Sequence, residues 1–172
     1  MNHSLIKIFP NPHTGESIYM SKKVSLKRLT KEQASELISQ LIQPCTPYGG
    51  NWLNIETGSG NSKIYFSQTK PSSASKGHWN YDFFHTLSFE TVQEICRESS
   101  CLVLLNYVDK TYTILDGADL LWLARYSSRD KSNDGAVIDI VINKFEDGSS
   151  RLTPYDRLSN KSKQVEVKSW MN

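Results

Sequence analysis

"KIYFSQTKPSSASKGHWNYDFF", residues 63–84, changes character halfway along its length. Ile64 and Phe66 alternate with polar neighbours, which is the pattern of a half-buried β-strand. Residues 69–77 then contain no large apolar side chain. The stretch therefore predicts a core strand followed by a polar loop held away from the core. Four aromatic residues come next and are expected to fix the far end of that loop: Trp79, Tyr81, Phe83 and Phe84.

A second polar loop lies near the N-terminus. "LIKIF" (5–9) and "SIYM" (17–20) are short apolar runs that predict two strands. Between them, "NPHTGES" (11–17) contains a proline and a glycine, which favour a loop over a helix. We call residues 11–17 the first arm and residues 69–80 the second arm.

The remaining elements alternate short strands with two main helices. "TKEQASELISQLI" (30–42) has apolar residues at helical spacing, and Thr30 and Gln33 form a capping box; Ser88 caps a second amphipathic helix. "CLVLLNYV" (101–108) predicts a strand covered on both faces, and Asp116 caps one or two short helical turns. We expect an α+β, mostly β fold over residues 1–172: one domain with a mixed, open pseudobarrel of seven or more strands and the two helices at its ends.

Composition places the protein among soluble globular chains. It has 172 residues, 38% of them hydrophobic and 22% charged, with a net charge of +2. No apolar run approaches the length of a membrane span, and the N-terminus does not resemble a secretion signal. Cys45, Cys96 and Cys101 lack zinc or disulfide spacing, so we expect reduced thiols in a cytoplasmic protein that needs no cofactor and does not bind a membrane.

Two alternative functions remain open at this stage. Asp156 after a proline, followed by Glu166 and Lys168, is similar to the acidic and lysine pattern of magnesium-dependent nucleases. A second version of that pattern uses residues 68–70 with Asn54 or Glu56 upstream. The near-neutral net charge would also suit a protein-binding module of phage or bacterial defence.

The two arms carry the side chains that a DNA duplex requires. Hydroxyl and lysine groups bind phosphate oxygens, and amide, imidazole or lysine groups can bind base edges in the major groove. The alternative for each arm is an ordinary solvated loop. The predicted DNA-binding residues, including lysines beside the first arm, are Lys7, Asn11, His13, Thr14, Ser17, Lys22, Lys23, Gln68, Lys70, Ser72, Ser73, Ser75, Lys76, His78 and Asn80.

The order of elements resembles the B-three DNA-binding pseudobarrel, found in plant transcription factors and in recognition domains of some restriction endonucleases. "NPHTGESIYM" is similar to the first arm of the endonuclease versions, and "KIYFSQTKPSSASKGHW" to their tyrosine-rich strand and basic arm. The resemblance implies recognition of a short specific site in double-stranded DNA within restriction-modification. It implies no catalytic residue in this chain, and a nuclease domain C-terminal to it or on a separate chain. Neither arm contains the arginine that commonly reads guanine.

Overall fold

The computed structural model describes residues 5–10, 17–21, 27–69, 81–98, 100–126, 137–154 and 161–171. Within these residues the fold is α+β and mostly β, as the sequence predicts, with twelve strands and three helices. The twelve strands form one six-stranded, one four-stranded and one two-stranded sheet. The described sheets are open and do not close into a barrel.

The helices begin at polar caps. They are α1 (Lys31–Leu41), α2 (Phe89–Arg97) and α3 (Gly117–Tyr126). The predicted capping box of α1 is confirmed: the Gln33 amide N–H donates to the Thr30 hydroxyl at 3.2 Å, and the Thr30 N–H donates to Gln33 Oε1 at 2.9 Å. Ser88 caps α2 as predicted. The third helix is longer than the one or two turns predicted after Asp116, since it has ten residues.

The six-stranded sheet is mixed and has the order β12-β8-β7-β5-β4-β3. Its one parallel pair is β5 with β7, because the chain passes through β6 and α2 before it returns to β5. A tight turn at residues 58–59 joins β4 to β5. In chain order the strands of this sheet are β3 (Cys45–Pro47), β4 (Trp52–Thr57), β5 (Gly60–Thr69), β7 (Cys101–Asn106), β8 (Thr111–Asp116) and β12 (Lys168–Ser169).

The other two sheets are antiparallel. The four-stranded sheet has the order β11-β10-β9-β6, and the two-stranded sheet is the hairpin β1-β2. Their strands are β1 (Leu5–Pro10), β2 (Ser17–Ser21), β6 (Tyr81–Ser88), β9 (Val137–Lys144), β10 (Ser150–Thr153) and β11 (Lys163–Val165).

Strand β7 separates two hydrophobic clusters. Leu102 and Leu104 pack on one side, with residues of the four-stranded sheet and of α2 and α3. Val103 and Leu105 pack on the other side, with residues of α1, β4 and β5. The prediction of a strand covered on both faces is thus confirmed, because all four side chains have no exposed surface. The six-stranded sheet lies between α1 and the four-stranded sheet.

Candidate nucleic-acid interface

Three of the predicted DNA-binding residues lie in described strands. Lys7 is in β1, Ser17 is the first residue of β2, and Gln68 is near the end of β5. The others lie outside the described residues: Asn11, His13, Thr14, Lys22, Lys23, Lys70, Ser72, Ser73, Ser75, Lys76, His78 and Asn80.

The first arm connects two paired strand ends. Pro10, the last residue of β1, is the pairing partner of Ser17, the first residue of β2. Residues 11–16 therefore connect two strand ends that are directly paired with each other. An antiparallel pair gives this arm a fixed base without any contribution from its own side chains.

The second arm leaves from one sheet and returns to another. It follows β5 of the six-stranded sheet and precedes β6 of the four-stranded sheet. Ser67 Oγ lies 2.8 Å from His85 Nε2, so a hydrogen bond joins these two strands beside the arm. Phe83, next to the returning end, has no exposed surface, as expected for an aromatic residue that fixes the arm to the core. We call the Ser67–His85 contact the root bridge.

Gln68 fixes a third segment to the same place. Its side-chain Nε2 donates to the Leu29 carbonyl and its Oε1 accepts from the Leu29 N–H, both at 2.9 Å. Gln68 is only 7% exposed. Both ends of its amide are thus engaged, and its burial leaves little of the side chain accessible to a base edge. In this structure Gln68 holds the segment before α1 against β5.

The imidazole of His85 is kept neutral near pH 7. Burial, and next the positive charge of Arg28, lower its pKa from 6.5 to about 4, while Asp139 acts in the opposite direction. Arg28 directly precedes Leu29, which is bonded to Gln68 beside Ser67, so this exposed residue is close in the chain to a segment fixed at the root bridge. Although neither arm contains arginine, one arginine therefore lies near the root of the second arm.

The root bridge is a serine–histidine pair that the sequence did not predict. Ser67 is only 1% exposed, so its hydroxyl is shielded from any substrate in solution. Strand alternation places His85 on the same face as Phe83 and Leu87 and so could have suggested that it faces inward. It places Ser67 on the face opposite Phe66, which the sequence predicts to be polar. Their pairing across two sheets is a tertiary contact, which alternation alone does not predict.

The structure describes two of the three candidate nuclease residues, Glu166 and Lys168. Lys168 Nζ lies 3.2 Å from a carboxylate oxygen of Glu166, and both side chains are more than half exposed at the sheet edge. Asp156 lies outside the described residues. Among the residues that the structure describes, no group of three or more His, Cys, Asp or Glu side chains could hold a metal ion.

In the second nuclease pattern, Gln68 does not lie close to Asn54 or Glu56. Asn54 of β4 pairs with Lys63, which is five residues from Gln68 along β5. That separation corresponds to about 16 Å of strand. Glu56 lies further away still, opposite Asn61. Gln68 is therefore remote from both proposed acid positions.

The cysteines are free thiols. Cys45, Cys96 and Cys101 are partly buried, and none forms a disulfide. Burial raises the pKa of the Cys96 and Cys101 thiols, which makes them poor nucleophiles near neutral pH.

Comparison with known proteins indicates neither a family nor a function for this chain. A scan against protein-family models and searches of curated proteins and of solved structures find no match to this chain. In the part of the chain that the structure describes, none of the helices has both the length and the apolar character needed to cross a membrane.

Proposed function

We propose that this chain is a sequence-specific double-stranded DNA-binding domain that grips the major groove with its two arms. The observation that carries the proposal is the root bridge. It joins β5 to β6 where the donor-rich second arm leaves the core and returns to it. Ordering a flexible loop on binding costs conformational entropy. A loop whose two ends are already fixed to the core loses less, so rigid bases favour binding of a duplex by two polar loops.

The chemistry of the arms supports two kinds of contact. Lysine and hydroxyl groups of the second arm, such as Lys70 and Lys76, would bind phosphates and set the register on the duplex. Asn11, His13 and Asn80 would bind base edges, each well-formed bidentate contact giving about 1–3 kcal/mol of discrimination. Gln68 is not among the proposed contacts, because its amide is bonded to Leu29.

The resemblance to B-three domains gives the proposal its biological setting. On this proposal the described sheets belong to a B-three-like pseudobarrel, and the domain serves a restriction endonuclease in the cytoplasm. DNA cleavage would be performed by a nuclease domain that follows this one or belongs to a separate chain. This chain itself would contribute recognition without catalysis and without a cofactor.

Selection from a randomised duplex pool tests the proposal. The protein is incubated with the pool at low salt, and bound DNA is recovered, amplified and sequenced over several rounds. We expect enrichment of one short motif, and competition by an unlabelled duplex that carries it. A pool that remains random after selection at low salt would contradict sequence-specific binding.

A further inference from the structure

Two lysines contact Tyr48, one at its ring and one at its backbone carbonyl. Tyr48 is 54% exposed and follows β3, the outer strand of the six-stranded sheet. Lys63 Nζ lies 4.4 Å from the centroid of its ring. Lys31 Nζ donates a hydrogen bond to its carbonyl oxygen at 2.9 Å. One residue therefore orients two ammonium groups from different elements.

This positive charge continues to the root of the second arm. Lys27 and Arg28 are exposed on the segment that leads into α1. Leu29, in the same segment, is bonded through its backbone to Gln68, the penultimate residue of β5. Arg28 directly precedes Leu29, so the same pair of hydrogen bonds places Arg28 beside the root of the second arm. We call Lys27, Arg28, Lys31 and Lys63, together with Tyr48, the basic stripe.

Among the described residues, the cations of the basic stripe form no ion pair. Within the part of the chain that the structure describes, the three salt bridges that form involve other side chains. The acidic residues near the stripe are Glu32 in the first turn of α1, Glu56 on the strand paired with β5, and Asp139, which acts on His85. In a protein whose net charge is only +2, four such cations form a local positive surface.

We propose that the basic stripe is a second phosphate-binding surface, which extends the DNA footprint from the root of the second arm around the outer edge of the six-stranded sheet. This inference rests on the proposed function. Ammonium and guanidinium groups bind phosphate oxygens without reading the sequence, and the exposed phenol can donate a hydrogen bond to them. Lys31 and Lys63 are already oriented by Tyr48, so binding orders them at little further entropic cost.

The test removes three cations from the full chain. The variant Arg28→Gln/Lys31→Gln/Lys63→Gln is compared with the wild type by measuring Kd for a duplex between about 50 and 200 mM salt. Each lost phosphate contact should reduce the slope of log Kd against log salt by about 0.9, so we expect a reduction of about 2–3. The slope should fall equally for the selected duplex and for a shuffled one, because phosphates carry no sequence information.

Two comparisons make the result decisive. Lys144→Gln removes an exposed lysine at the end of β9, in the four-stranded sheet, and should leave the slope of log Kd against log salt unchanged. If the triple variant has a lower Tm, the single variants Arg28→Gln and Lys63→Gln should each reduce the slope by about 1. If the triple variant still binds the selected duplex with an unchanged slope, the basic stripe does not bind phosphates, and the proposed function is not affected. A wild-type protein that binds no duplex at low salt would overturn both.

Discussion

His85 occupies an inward-facing position that an apolar residue would usually fill. It lies between Phe83 and Leu87 on β6, both of which are buried. The neutral imidazole is retained there because Ser67 provides a hydrogen-bond partner from the facing sheet. Burying the charged form would cost more than burying the neutral form, and this difference lowers the pKa to about 4.

Stability should therefore depend on pH through His85. Its pKa is 6.5 when unfolded and about 4 when folded, so between these values the unfolded chain binds more protons. The stabilisation is complete above about pH 6.5 and is lost as the pH falls towards 4. It should amount to no more than about 3 kcal/mol. Urea unfolding at several pH values measures it.

The variant His85→Gln isolates this contribution. Because glutamine does not titrate, only the wild type loses stability through this site as the pH falls from 6.5 to 4.5, so the unfolding free energy of the wild type minus that of the variant should decrease over that range. Titration of the carboxylates affects both proteins and cancels in the difference. A gap that stays constant over this range would show that His85 is not responsible.

Substitutions in the arms should separate two classes of residue. We expect Lys70→Ala and Lys76→Ala to weaken binding to all duplexes by a similar factor, because both lysines are assigned to phosphates. His13→Ala and Asn80→Ala should instead relax the preference at particular base pairs, at about 1–3 kcal/mol each. Competition with single-base variants of the selected duplex measures both effects. Identical specificity profiles for all four variants would contradict the assignments.

Local sequence signals predicted two of the three described helices and several strands. Capping residues and helical spacing identified α1 and α2, and continuous hydrophobicity identified β7 as a buried strand. Two elements were not predicted as strands: β3 is only three residues long, and β6 was interpreted as an aromatic anchor. A short edge strand is stabilised mainly by pairing with its neighbour, here β4, and local sequence propensity does not predict that pairing.

Replacing the polar part of the second arm should abolish recognition without unfolding the protein. We expect a glycine–serine segment of equal length at residues 70–77, with Trp79 retained, to weaken binding of the selected duplex by about 100-fold or more. Stability should change by less than about 1 kcal/mol, because the replaced residues contain no large apolar side chain. Gel shift and thermal unfolding measure the two quantities.

A control replacement tests whether any polar loop would give the same result. Residues 129–134, between α3 and β9 in the chain, are all polar or charged, and a glycine–serine segment there should leave DNA binding unchanged. If both replacements weakened binding equally, the second arm would have no special role.

At the scale of the whole molecule, stability depends on the layers on either side of the six-stranded sheet. Leu104 of β7 is fully buried in the cluster beneath the four-stranded sheet. We expect Leu104→Ala to lower the free energy of unfolding by about 2–5 kcal/mol, through lost burial and the cavity that remains. Leu121 on α3 is 61% exposed, so Leu121→Ala should change it by less than about 1 kcal/mol. Equal losses in urea unfolding would contradict this packing.

The candidate site was only partly predictable. Composition identified the second arm as polar and rich in donors, because such patterns are local. The root bridge, the Gln68–Leu29 contact and the position of Tyr48 between Lys31 and Lys63 join residues that are distant in sequence. The root bridge depends on how two sheets stack, and the other contacts depend on how α1 and the segment before it pack against β5 and the β3 edge. Periodicity does not specify either arrangement.

The placement of β7 has a consequence for hydrogen exchange. Its backbone is paired with β5 on one side and β8 on the other, and residues 102–105 are covered on both faces. Solvent can reach those amide protons only when the sheet itself opens, so they should exchange more slowly than those of the two-residue edge strand β12. The slowest deuterium uptake in the chain would then report the global opening free energy under native conditions, without denaturant.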